Sequence, residues 1–153
     1  MNKIRAKILY LPNYDLAAWG EMGYAHDTDS GFDLRSCDDF TLAPMQRAAA
    51  RCGFKLQLER GYGYTIRPRS GNAIKLGLSM PNAIGTIDNG FLGEVCVLLV
   101  NMGEAPIHIE KGMRIAQAVV EPIHQIDFTS CASEADFEAT SRAEGGFGSS
   151  GVS

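Results

Sequence analysis

Ile107 to Val120, IHIEKGMRIAQAVV, decides the fold class of this chain. Ile107 and Ile109 alternate with His108 and Glu110, Lys111-Gly112 supplies a turn, and an apolar-rich run returns from Met113 to Val120. A period of two places successive side chains on opposite faces of a strand, which a helix cannot do. The same grammar recurs outward. Val95 to Val100 is continuously apolar, as expected of a strand covered on both faces, inside a sandwich or at a subunit contact. Lys55 to Leu58 alternates, Gly61-Tyr62-Gly63-Tyr64 interrupts the pattern, and Thr65-Ile66-Arg67 resumes it before Pro68. Near the start, Ile4, Ala6, Ile8 and Tyr10 alternate with Lys3, Arg5, Lys7 and Leu9, ahead of a turn at Pro12-Asn13. Helical signals are sparse: Met45 to Arg51, with its three consecutive alanines, fits a helical turn or a strand equally well. With 17 glycines among 153 residues to punctuate the short runs, the pattern predicts an all-β sandwich or barrel.

A chain of this length fits one domain with a substantial core. From Asp127 onward the composition turns polar and small, so residues 1–126 read as the β-domain and 127–153 as a flexible C-terminal arm with little core of its own. Fully extended, that arm would reach roughly 80 Å, enough to lie across a neighbouring subunit. Cys37, Cys52, Cys96 and Cys131 are widely spread without a CxxC pair, which points to packing residues in a reducing compartment rather than to zinc or redox chemistry. The basic start from Met1 to Lys7 is not followed by the apolar stretch of a signal peptide, and no run is long enough to cross a bilayer. The expectation is a cytoplasmic protein without membrane contact. A net charge of -4 argues against direct nucleic-acid binding, which relies on excess Lys and Arg to displace counterions.

The chemistry concentrates in two windows. Arg67 to Glu94, RPRSGNAIKLGLSMPNAIGTIDNGFLGE, contains Arg69-Ser70-Gly71, where a guanidinium fork, a hydroxyl and a backbone without a side chain can all approach phosphate. It also contains Asp88 beside the turn dipeptide Asn89-Gly90. Taken alone, Arg69-Ser70 fits a solvated turn and Asp88 a turn cap; their company favours a nucleoside triphosphate site. Asp33 lies between Phe32 and Leu34, where a carboxylate needs an Arg partner or a hydrated cation. The second window is the tail, Arg142 to Gly151, RAEGGFGSSG. A passive Gly/Ser linker has no use for Phe147, whereas a ring flanked by glycines can lie on a nucleobase while the following N–H groups and hydroxyls close on phosphate. His26, His108 and His124 lack ligand-spaced partners and read as structural or exposed, and the Trp19 to Asp29 region reads as a loop packed over the core.

In this order, Gly31 to Ser36, Pro68 to Leu78, Gly85 to Glu94, Gly112 to Gln117 and Arg142 to Gly151 resemble the five motifs of the homotrimeric dUTPase family, the deoxyuridine triphosphate nucleotidohydrolases. The resemblance implies a jelly-roll-like β fold, a homotrimer with active sites at subunit interfaces, and an arm that closes over a site built mainly by other subunits. It implies hydrolysis of dUTP to dUMP and pyrophosphate with Mg2+, lowering dUTP and supplying dUMP for thymidylate synthesis. By position, Asp88 would orient the water that attacks the α-phosphorus. Asn82 and the backbone of Gly85, Thr86 and Ile87 would read the uracil edge, and the Phe91 ring would lie against the deoxyribose. Arg69, Ser70, Gly71 and Gln117 would hold phosphates, and Asp33 would hold metal-bound waters. Phe147 would stack on uracil, with Arg142, Gly148, Ser149 and Ser150 around the γ-phosphate. Three positions depart from the family pattern: Phe91 stands where Tyr is usual, Ser30 where Ala is common, and Ala143 where Gly follows the tail Arg.

Two rivals follow from the same residues. A deoxycytidine triphosphate deaminase shares the fold and much of the phosphate grip but needs a Glu in its base pocket to protonate and hydrate cytosine. A nucleotide-sensing interaction protein would bind dUTP and present an altered surface to a partner. An inert assembly subunit would not explain why phosphate-type residues recur along the chain.

Overall fold

A computed structural model describes residues 3–140 and 143–144. The chain runs through β1 (Ala6–Tyr10), the single helical turn α1 (Leu16–Trp19), β2 (Gly31–Arg35), β3 (Phe40–Leu42), β4 (Arg47–Arg51), β5 (Phe54–Leu58) and β6 (Tyr62–Arg67). It continues through α2 (Ser70–Leu76), β7 (Leu78–Ser79), β8 (Gly85–Ile87), β9 (Cys96–Asn101), β10 (Ile107–Ile109) and β11 (Arg114–Pro122). The strand-turn-strand expected from Ile107 to Val120 is β10, a turn and β11, but the two do not pair with each other. β10 pairs with β3, and β11 lies between β2 and β6 in the sheet β2-β11-β6-β8. A second sheet, β4-β9-β7, and the pair β1-β5 complete an all-antiparallel arrangement, the jelly-roll-like architecture expected from the sequence.

The inward faces meet in one core containing Leu34, Leu42, Phe54, Ile66, Leu99 and Ile109. Burial of such side chains is each worth about 1.5–3 kcal/mol relative to exposure, which is why the period-two pattern fixes register: a one-residue slip would turn every one of them to solvent. Asn101 is fully buried, and its amide is fully used. Its Nδ2 donates to the carbonyls of Leu42 (2.9 Å) and Ala105 (2.8 Å), while Oδ1 accepts from Gly103 N (2.8 Å), tying β9 to the end of β3. Cys37 and Cys52 are buried packing residues, and burial pushes the Cys37 thiol up to about 11.

Several segments differ from the sequence reading. Met45 to Arg51 resolves to a strand, since β4 pairs with β9 over its whole length and buries Ala50. The continuous apolar run is covered on one face by its own chain: Val97 and Leu99 point inward, whereas Leu98 is 42% exposed, so of the two coverings expected only the one inside a sandwich is excluded. β1 forms where expected, but Ile8 and Leu9 are both exposed, so it is a surface strand rather than a half-buried one. α2 had no helical signature in the sequence; it is about two turns after Pro68, stopped by Gly77 at φ 70°. Gly77 donates back to Ala73 and Asn72 carbonyls, and a Cβ there would stand 2.5 Å from Gly103 N, so both conformation and space demand glycine. In the described part of the arm, the side chains from 127 to 140 are exposed, and a short 3-10 turn at Glu134–Asp136 is closed by a Ser133/Asp136 capping box.

Candidate active site

A cavity of about 740 Å³ opens over the β2 edge of the larger sheet. Asp33, Gln117 and Arg67 stand directly opposite one another on β2, β11 and β6, so three adjacent strands present three polar side chains in a row on one face. Gln117 Nε2 donates to the Pro68 carbonyl (3.0 Å), which fixes the backbone where β6 hands over to the Arg69-Ser70-Gly71 segment. Asp33, the carboxylate between apolar neighbours, has the arginine partners its position demands. Its oxygens lie 2.8 Å from Arg69 Nε and 3.3 Å from Arg114 Nε. Ser70 and Gly71 line the same cavity, and nothing stands within 4 Å of the place a Gly71 Cβ would take.

Four arginines (Arg35, Arg67, Arg69, Arg114) face three carboxylates (Glu21, Asp29, Asp33) around this space. In a chain of net charge -4, four guanidiniums gathered at one place concentrate the donors that a polyanion needs. Arg35, Arg67 and Arg114 were not among the residues expected from the sequence. Neither was the outer wall, the Glu21 to His26 loop, which reads as packing from sequence and does pack. Met22 N donates to Tyr10 OH (2.7 Å), Tyr24 meets Phe32 edge-on at 5.9 Å, and Trp19 lies against Gly112, whose φ of 91° and closeness to the indole exclude a side chain. The same packing holds the loop beside the cavity, and no local sequence signal carries that placement.

The other expected residues lie on the far edge. β8 pairs with β6 through Ile66–Gly85, Thr65–Thr86 and Tyr64–Ile87, and its second edge has no strand partner among the described residues. That free edge offers backbone donors and acceptors to a planar ligand. Asn82 Nδ2 lies 3.3 Å from where a Gly85 Cβ would stand, so the amide and the strand edge are contiguous. Asp88 follows at once, exposed, with its carbonyl accepting from Phe91 N (3.0 Å). Asn89 secures the turn: its Nδ2 faces the carbonyls of Leu58 (3.2 Å), Glu59 (3.1 Å) and Tyr62 (2.7 Å). The Phe91 ring folds over Gly93 and stays partly exposed.

One chain therefore brings Asp33, Arg69, Ser70, Gly71 and Gln117 together and keeps Asn82, Gly85, Thr86, Ile87, Asp88 and Phe91 apart from them. β2 and β8 are the two edges of a four-stranded sheet, three strand spacings or roughly 14 Å from each other. Arg142, Phe147, Gly148, Ser149 and Ser150 lie outside the described residues.

For a metal, no group of three or more His, Cys, Asp or Glu side chains is arranged as a cage among the described residues. Asp33, one carboxylate beside cationic side chains, matches an ion that brings phosphate oxygens and water as its main ligands, the habit of magnesium.

The chain matches the dUTPase family model over residues 19–151. It is 43% identical to the deoxyuridine 5'-triphosphate nucleotidohydrolase of Clostridium kluyveri, across 84% of this chain and 88% of that one. It is 45% identical, with the same coverage, to the enzyme of that name from Chlamydia caviae. Among solved structures, the Staphylococcus bacteriophage 80alpha dUTPase with dUPNHPP superposes with a TM-score of 0.82 at 27% identity, over 99% of this chain and 100% of that one.

Proposed function

The chain belongs to the dUTPase family, and from that premise we propose that it hydrolyses dUTP to dUMP and pyrophosphate at sites completed between copies of itself. The observation that carries the second part is the split. The cationic, phosphate-type residues and the base-type strand edge with Asp88 occupy opposite edges of one sheet, so a complete site needs a cavity from one copy and a β8 edge from another. A homotrimer satisfies this with three equivalent sites, each copy giving one edge to each neighbour in a closed ring.

In this reading Asn82 and the outer edge of β8 pair with uracil, and Phe91 packs on the deoxyribose. Arg69, Ser70, Gly71 and Gln117 hold the polyphosphate in the cavity, with Asp33 fixing the arginines. Asp33 would also hold Mg2+ through water, and the ion would supply charge neutralisation. Asp88 takes a proton from the attacking water as its oxygen bonds to the α-phosphorus; the bond to the α–β bridging oxygen breaks, and its electrons leave with pyrophosphate. Residues 127–153 act as the arm, bringing Phe147 onto the base and Arg142, Gly148, Ser149 and Ser150 to the γ-phosphate. Most of the acceleration comes from positioning and electrostatics, since little covalent chemistry falls to the protein. The enzyme works on the free nucleotide pool of the cytoplasm, removing dUTP and furnishing dUMP for thymidylate synthesis; no helix among the described residues is long and apolar enough to cross a membrane.

The test is one panel: purified protein and magnesium with dUTP, dCTP, dTTP and UTP, scored for pyrophosphate and for ammonia. Pyrophosphate from dUTP alone is the expected result. Ammonia from dCTP would move the chain to the deaminase chemistry of the same fold.

A further inference from the structure

Arg35 lines the cavity against a repulsion. The β2–β11 register shifts between Arg114 and Ala116, a bulge that buries Ile115 and Ala116 in succession and sets Arg114 directly opposite Arg35. Like charges facing each other across two strands push apart, so each guanidinium needs an anchor. Arg114 has Asp33, 3.3 Å from its Nε. Arg35 has one acceptor among the described residues, the Gly112 carbonyl, which takes a hydrogen bond from Nη1 at 2.8 Å.

That anchor is only as firm as Gly112, a residue without a side chain at φ 91°, in the turn between β10 and β11. Its amide donates to the Ser36 carbonyl (2.7 Å), and Trp19 fills its open side. The indole lies where a Gly112 side chain would be, with Nε1 2.9 Å and Cε2 3.3 Å from the Cβ position. Lys111 Nζ stands 5.9 Å from the centroid of the same ring, within cation–π range, so two successive residues of the turn rest on it. Trp19 is itself held from behind. The Tyr14 ring meets it edge-on at 5.1 Å and lies 4.6 Å from the Tyr10 ring on β1, while Asp15 caps α1 by accepting from Ala18 N (3.0 Å). An aromatic stack thus runs from β1 to the backbone link that anchors Arg35.

We propose that Trp19 is a positioning residue, which fixes the Gly112 carbonyl and through it holds Arg35 at one place in the cavity. Its effect on dUTP turnover rests on the reading of the cavity as the polyphosphate site; its hold on Arg35 does not. Steady-state kinetics of the full-length protein would compare wild type, Trp19→Ala, Arg35→Gln and the double variant, with Trp19→Phe as the conservative control. Trp19→Ala is expected to lower kcat/KM for dUTP about tenfold, as the misplacement of a group in a site does, and Trp19→Phe, which keeps a ring on Gly112, to retain most of the activity. In the Arg35→Gln background the Trp19→Ala change is expected to add less than about twofold, because its route is already gone. An undiminished loss in that background would make Trp19 a general packing residue, and no loss in either background would give it no part; each overturns the proposal. Should Trp19→Ala fail to fold, Trp19→Leu, which keeps apolar bulk without the flat ring, enters the same cycle. A wild type that does not turn over dUTP would sink the reading of the cavity alone, and nitrogen NMR of the Arg35 guanidinium then decides for Trp19. Restricted rotation in wild type that is lost in the Trp19 variant supports the proposal, and equal rotation in the two overturns it.

Discussion

At the scale of single residues, Asp88 matters because it is a carboxylate on a turn secured by its neighbour rather than by its own side chain. Asp88→Asn keeps the shape and removes the basicity. Turnover of dUTP is expected to fall about 10²- to 10⁴-fold while affinity for a non-hydrolysable analogue holds, as steady-state kinetics and calorimetry would show together. Wild-type turnover in that variant would take Asp88 out of the reaction. Asp38 offers a prediction about stability. The Arg51 side chain, which lies 2.6 Å from Asp38 Oδ1, holds that carboxyl below its ordinary value of 3.8. A depressed folded-state pKa stabilises the fold above the ordinary value, and the gain drains away as pH falls through the depressed one. Chemical denaturation should therefore find Asp38→Asn less stable than wild type at pH 7, with the gap closing below about pH 4. Because Arg51 is mostly exposed, the gap at neutral pH should be modest.

At the scale of elements, the turn after β8 is where stability and function meet. Asn89 shares two amide protons among three carbonyls at the end of β5 and the start of β6, so Asn89→Ala frees the segment that carries Asp88. The expected cost is about 1–3 kcal/mol in denaturant midpoint analysis. A fall in kcat of tenfold or more should accompany it, because small displacements of a catalytic group are expensive. The arm gives the converse experiment: truncation before Arg142 should leave the melting transition in place and reduce activity severely, since the described arm residues bury nothing. Unchanged kinetics would make the arm a passive linker. The strands themselves were legible in the sequence where alternation, a local property, is clean; β5, β10 and β11 fall where the pattern puts them, whereas β6 runs on through the Tyr62-Gly63-Tyr64 stretch that reads as an interruption. What local pattern cannot carry is partnership. Nothing in Ile107 to Val120 says that β10 and β11 part to join different sheets, and the bulge that frees Arg114 looks in sequence like an Arg at a core position. α2 escaped for a related reason, being too short to show a period and held by Gly77 and its contact with Gly103. Of the expected site residues, those joined by cross-strand register, Asp33 and Gln117, prove to be direct neighbours, though their separation along the chain hid it.

At the scale of the whole molecule, the proposed assembly would make each chain a donor of two different parts, one from each edge of the larger sheet. Dilution below the dissociation constant of that assembly should then abolish activity before it affects secondary structure, a separation visible by pairing enzyme assays with circular dichroism. The same partition has a genetic corollary. Chains carrying Arg69→Gln retain a sound β8 edge, and chains carrying Asp88→Asn retain a sound cavity, so subunit exchange between two inert preparations should restore turnover. Random mixing in equal amounts would leave about a quarter of the sites with both intact contributions. Defects confined to one face of this fold are thus recessive within a shared assembly, and two alleles that each fail alone can together keep a cell supplied.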